Sequence, residues 1–173
     1  GGPMMIAEIL VLVAFPVMLA LAAGWDIASY TIPNSLQLAL VAAFFAFVLA
    51  AGIGAPAFGA HLLAGSIGLA IGFTLFALGY IGGGDAKLFA AVVLWLGFSD
   101  LMEYALVASI LGGGLTLGLL ALRQVPLPAS FARQGWILRL HDEQAGIPYG
   151  VALAAAAFLI LPRTEIFRLA SGT

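Results

Sequence analysis

Two carboxylates carry the chemistry that this chain could perform. Asp85 follows Gly82-Gly83-Gly84 and precedes the short apolar run Ala86–Phe98, while Asp26 stands between an apolar segment and Ile32-Pro33-Asn34. Two carboxyl groups brought close can share one proton, leaving a neutral acid beside an anionic base. The anion can activate a water while the acid polarises a carbonyl, which is the logic of aspartic proteolysis. Inside a membrane such chemistry needs a wet notch and a substrate backbone that comes near, and glycines permit the approach because no side chain obstructs it. Taken alone, Asp26 reads as an interfacial acid that snorkels or caps; the functional reading arises from the pair. Lys87, two residues past Asp85, either tunes the charge of the pair or, the favoured reading, snorkels toward the surface. Glu8 is the other ionisable group inside an apolar run.

These groups must be positioned by helices in a bilayer. Of the 173 residues 64% are hydrophobic and 8% charged, with a net charge of −2, against about 25% charged residues in soluble domains. So few charges cannot cover a water-soluble protein of this size. Six apolar segments are candidates for spans: Met5–Ala23, Leu36–Ile53, His61–Tyr80, Ala86–Phe98, Leu101–Leu122 and Ile147–Leu161. The fold expected is an all-α, polytopic bundle of six transmembrane helices. Gly1-Gly2-Pro3 ahead of Met4 reads as an expression scar, and residues 4–173 as a single transmembrane domain with a solvated loop at 123–146. That loop holds Arg123, Arg133 and Arg139 and is placed in the cytoplasm. By helix parity the Trp25–Ser35 and Tyr80–Asp85 connections lie on the same side, although Arg163 and Arg168 then fall outside. The run from Asp85 to Ser99 covers only about 21 Å of helix, short of the ~30 Å hydrocarbon core. Asp85 is therefore expected several Å inside the boundary, beneath an unwound glycine segment lining a wet cavity.

Other features read as structural. Gly65, Gly68 and Gly72, and likewise Gly112–Gly114 with Gly118, are spaced to allow close helix contact. Asn34 or Ser35 can cap the second helix, and Ser99-Asp100 with Glu103 reads as an N-cap and acidic first turn. His61 and His141 are isolated, without metal-ligand spacing. The absence of cysteine excludes disulfides, thiolate zinc sites and cysteine nucleophiles. The glycine run is not followed by Gly-Lys-Ser/Thr, so it is no P-loop, and no basic stripe supports nucleic-acid binding.

Gly82-Gly83-Gly84-Asp85-Ala86-Lys87-Leu88 resembles the GxGD signature of the type IV prepilin peptidases, a family of intramembrane aspartic peptidases. Asp26 with Ile32-Pro33-Asn34 is similar to their first catalytic aspartate and the turn after it, and Ile147-Pro148-Tyr149-Gly150 resembles a further element of the family. The resemblance implies Asp26 and Asp85 as the catalytic pair, with Gly82, Gly83, Gly84, Lys87, Pro33 and Asn34 as motif or substrate-binding positions. It implies no metal or cofactor in the peptidase step. The implied substrate is a prepilin or pilin-like precursor, cut between its leader and its hydrophobic helix at the cytoplasmic face of a bacterial inner membrane. Without cysteines or a cytoplasmic insertion after the first helix, the chain looks like the short form associated with tight-adherence (Flp) pili, and N-methyl transfer is expected to be absent.

Two other readings use the same residues. A small proton or cation transporter could employ Asp26 and Asp85 as intramembrane ion sites beside broken helices. A non-catalytic assembly subunit would tolerate Asn at both positions. The transporter explains the carboxylates but not three motif elements in order.

Overall fold

Apolar segments in lipid must satisfy their backbone hydrogen bonds internally, so they become helices. The computed structural model describes residues 1–173 and contains helices and no strand. The chain opens with α1 (Gly2–Ile9) and α2 (Phe15–Ser29), joined through a π-helical turn, Leu10–Ala14. Pro16 explains that turn: it has no N–H to give to the preceding turn, and the Phe15 N–H reaches back to the Leu10 carbonyl instead. The resulting rod is 28 residues long. It runs past the expected end at Ala23 and stops where Tyr30 turns left-handed (φ 55°). Asp26 therefore lies within the last turn of a helix and not just beyond one.

Next come α3 (Asn34–Ala51), closed by a left-handed Gly52, and α4 (Ala55–Ala77). The longest element is α5 (Gly83–Arg123), 41 residues, which absorbs the expected fourth and fifth spans. It is interrupted at Gly97, where φ is 70° and ψ −171°, a conformation open essentially to glycine alone. Phe89 and Tyr104 flank that break and would stand about 22 Å apart on a straight helix. Their rings stack with centroids 5.9 Å apart, so the chain reverses at Gly97 and α5 is a hairpin of two arms. His61 fills the reversal: its Nδ1 pairs with the Leu94 carbonyl at 2.8 Å, a group the broken helix leaves without its usual partner. A short α6 (Gly135–His141) follows within the long loop, then α7 (Tyr149–Ile160), a 3₁₀ turn at Leu161–Arg163 and α8 (Glu165–Ser171). Four helices are long and apolar enough to cross a membrane, or five if the C-terminal pair, bent by 53°, counts as one.

Trp95, fully buried in the first arm of α5, organises the core. It stacks on Phe15 at 4.6 Å and Phe47 at 5.7 Å, and its indole N–H donates to the Leu40 carbonyl at 2.9 Å. The same arm packs along α4 through the expected glycine face. A methyl at Gly72 would fall 2.8 Å from the Ala86 carbonyl oxygen, and one at Gly65 3.0 Å from the Leu94 side chain. The second glycine set behaves differently: Gly112 lies under Tyr149, but Gly113, Gly114 and Gly118 meet no neighbour within 4 Å. The expected cap at Ser99–Glu103 is also corrected. The second arm does begin just after Gly97, but Ser99 and Asp100 do not bond to its first amides, and the polar groups turn to the C-terminus instead. Ser99 donates to Glu165, Asp100 accepts the Glu165 amide at 3.0 Å, and Glu103 pairs with Arg163 at 2.5 Å.

Candidate active site

Asp26 reaches the site from the last turn of α2 and Asp85 from the first turn of α5. Both are almost wholly buried, at 3% and 5% exposure. Their carboxyl groups lie within side-chain interaction range of each other, and both line a cavity of about 350 Å³ with Tyr30, Tyr80, Gly82 and Tyr149. Two backbone donors hold them. The Gly150 N–H donates to Asp26 Oδ2 at 2.7 Å, and the Gly82 N–H donates to Asp85 Oδ2 at 3.3 Å. The second contact follows from local sequence. Gly82 is the extended residue before α5, and an acidic side chain three residues later can reach back to its free amide.

The glycine run is less unwound than expected, because Gly83 and Gly84 already belong to the first turn of α5. Of the three, only Gly82 lines the cavity. Gly83 lies against the Phe76 ring, and Gly84 against Ile32, whose backbone nitrogen is 3.4 Å from where a Gly84 Cβ would be. Ile32 also meets Gly150, where a Cβ would be 3.0 Å from its Cδ1. This one side chain is thus wedged between the glycine beside Asp85 and the glycine beside Asp26, which gives the three separated motif elements a common physical reason. Pro33 supplies the carbonyl that closes the first turn of α3, accepting from the Leu36 and Gln37 amides at 3.1 and 3.2 Å. Neither Asn34 nor Ser35 caps that helix. Asn34 Oδ1 instead accepts from Lys87 Nζ at 3.0 Å. Lys87 is thereby held outside the cavity that contains the carboxylates, in an exposed groove with Gln37.

Four further residues build the site, and sequence reasoning did not single them out. Gln37, 7% exposed, donates from Nε2 to the Gly84 carbonyl at 3.0 Å, bracing the turn before Asp85. Gly150 was visible only as part of a motif, and its role needs α7 folded against α2. Tyr30, left-handed at the end of α2, faces the cavity. Burial raises its phenol above the ordinary value, against the opposing pull of Arg123, so it remains a donor at neutral pH. Arg123, 7% exposed, donates from Nε to the Leu140 carbonyl at 2.9 Å and from a terminal nitrogen to the Gly146 carbonyl at 3.0 Å. Read in sequence as a mark of loop topology, it is an anchor for that loop. A basic residue where a helix meets a loop carries no further signal in one sequence. Gln37 could have been suspected as a lone amide in an apolar helix.

A helical membrane protein with two buried carboxyl groups facing each other in a polar cavity has the parts for acid–base chemistry on a peptide. The comparison with known families agrees with that class. A family model, the type IV leader peptidase family, matches residues 13–117. The chain belongs to that family. The matched stretch contains Asp26, Ile32-Pro33-Asn34 and the Gly82–Leu88 string, and ends before Tyr149 and Gly150. No curated protein and no solved structure matches the chain.

Proposed function

We propose that this chain is an aspartic endopeptidase that removes the N-terminal leader of type IV or Flp prepilins, or of pilin-like precursors, at the cytoplasmic face of the inner membrane. The observation that carries the proposal is the facing pair Asp26 and Asp85 in one cavity, each held by a motif glycine amide. With one proton between them, the anionic carboxylate takes a proton from water as the oxygen adds to the scissile carbonyl carbon. The neutral carboxyl gives its proton to the carbonyl oxygen. Collapse of the tetrahedral intermediate breaks the C–N bond: the leaving nitrogen takes the proton that the first carboxylate drew from water, and a hydroxyl of the intermediate returns its proton to the second, which restores the shared-proton pair. Gly82 and the irregular backbone at Tyr80–Gly82 leave room for an extended substrate strand.

The test is cleavage of an Flp-type prepilin by purified protein in lipid, comparing wild type with Asp26→Asn and Asp85→Asn, each checked for unchanged folding. Cleavage by wild type and loss in both variants is the expected result. Retained cleavage in either variant would remove that residue from catalysis. Failure of wild type on several precursors, together with proton- or cation-dependent flux in vesicles, would favour a transporter. Mature pilin carrying an N-methyl group after treatment with this protein and a methyl donor would overturn the expectation that methyl transfer is absent.

A further inference from the structure

A second cavity adjoins the carboxylates. It measures about 330 Å³, is mostly apolar, and lies between α4, both arms of α5 and the start of α7. Ile81 and Tyr149 line both this groove and the cavity holding Asp26 and Asp85, so the two meet at these side chains. Along the second arm of α5 the groove runs from Thr116 to Ala105, eleven residues or about 16 Å of helix. Phe89, stacked on the buried Tyr104 ring, lines it from the first arm. Its flank is low: Ser109 and Gly113 are exposed, and Gly113 has open space where a Cβ would stand. The hydroxyls cannot be counted as free, since Ser109 donates to the Ala105 carbonyl and Thr116 to the Gly112 carbonyl.

We propose that this groove docks the transmembrane helix of the precursor, with the helix N-terminus at Tyr149 and the scissile junction passing Ile81 into the carboxylate cavity. The inference rests on the peptidase reading. A leader peptidase must hold an apolar helix that starts immediately after the bond it cuts, so the groove has to meet the cavity of the two aspartates. This one does. A groove of similar size between α3, α4 and the first arm of α5, lined by Leu38, Ser66 and Lys87, shares no lining residue with the carboxylate cavity. Low side chains on the second arm permit the close backbone approach on which helix association in lipid depends. Gly113, with no neighbour within 4 Å in the chain, leaves that approach open.

Two measurements test this. In full-length protein carrying Asp26→Asn and Asp85→Asn, a photo-reactive residue replaces Ser109 or, as control, Ser66. The precursor's apolar helix should crosslink from position 109 and not from 66. In the active protein, Gly113→Leu and Ser109→Leu should each lower precursor cleavage at least tenfold. The fall is judged relative to Ser66→Leu and to the same variant acting on a leader–junction peptide without the helix. Crosslinking only to lipid at 109, equal crosslinking from 66, or equal loss on both substrates in both filled variants would overturn the groove assignment. Crosslinking at 109 with no cleavage of any precursor by wild type would keep the groove and sink the peptidase reading.

Discussion

Gly150 occupies a position where one methyl group would reach the proposed catalytic carboxylate. A Cβ there would lie 2.7 Å from Asp26 Oδ2, 3.0 Å from Asp26 Cγ and 3.0 Å from Ile32 Cδ1, so the Asp26 carboxyl and the tip of the wedge would both have to shift. Gly150→Ala should therefore displace Asp26 while leaving the helices intact. Precursor cleavage is expected to fall on the order of 100-fold, the usual cost of misplacing a reacting group by about 1 Å, with helical circular dichroism unchanged. Activity near wild type would mean that the Gly150 amide is not part of the machinery. Lys87 makes the opposite case. Bound to Asn34 and outside the carboxylate cavity, it touches nothing that reacts. Lys87→Met is expected to keep kcat/KM within about threefold of wild type, the scale of a partly solvated hydrogen bond lost away from the chemistry. A proton shared by Asp26 and Asp85 would also make cleavage bell-shaped in pH, because both the doubly charged and the doubly neutral pair are inactive. A profile that rises to a plateau with no second limb would contradict a shared proton.

At the scale of elements, the hairpin in α5 decides the arrangement, and Gly97 decides the hairpin. A side chain at Gly97 would strain a φ of 70° and would also fall 2.9 Å from His61 Cε1. Gly97→Ala should cost about 1–3 kcal/mol, the scale of a forced backbone outlier, read as a lower midpoint of unfolding in mixed detergent. Gly118→Ala on the second arm, where nothing lies within 4 Å, should leave the midpoint unchanged. Equal effects would show that helix propensity and not the reversal governs both sites. The apolar runs that became α2, α3, α4 and the arms of α5 were legible from length and composition, because hydropathy records burial in lipid directly. So were Asp26 and Asp85, since an uncompensated acid in such runs is rare enough to stand out. The partners of Ser99 and Asp100 were not legible, because a Ser-Asp pair just past a helix break has the same composition whether it caps its own helix or another. In this chain Asp100 serves α8, sixty-five residues away. The roles of Gln37 and Gly150 were hidden for the same reason: their partners, Gly84 and Asp26, are distant in sequence, and local pattern does not say what either residue serves.

Across the whole molecule, the loop between α5 and α7 folds back over the carboxylate cavity, and it is held almost entirely by backbone acceptors. Arg123 grips the Leu140 and Gly146 carbonyls, Arg139 donates to the Ala28 carbonyl, Tyr30 reaches the Arg139 carbonyl at 3.4 Å, and His141 pairs with the Val125 carbonyl at 2.6 Å. Arg123 matters most among these. It is buried, makes no ion pair, and fixes Gly146, the residue that begins the turn leading to the Gly150 amide. Its loss would free the loop and loosen the amide on Asp26 together. Each hydrogen bond from a charged donor contributes about 1.5–3 kcal/mol, so Arg123→Gln is expected to speed tryptic cutting at Arg133 and Arg139 about tenfold or more and to reduce precursor cleavage in parallel. Arg123→Lys, which keeps the charge but cannot reach two carbonyls with a planar fork, should restore little of either. A variant with slow loop proteolysis and poor catalysis would separate the two effects and would place Arg123 at the cavity as a charge, acting through Tyr30, and not as the clamp on the loop.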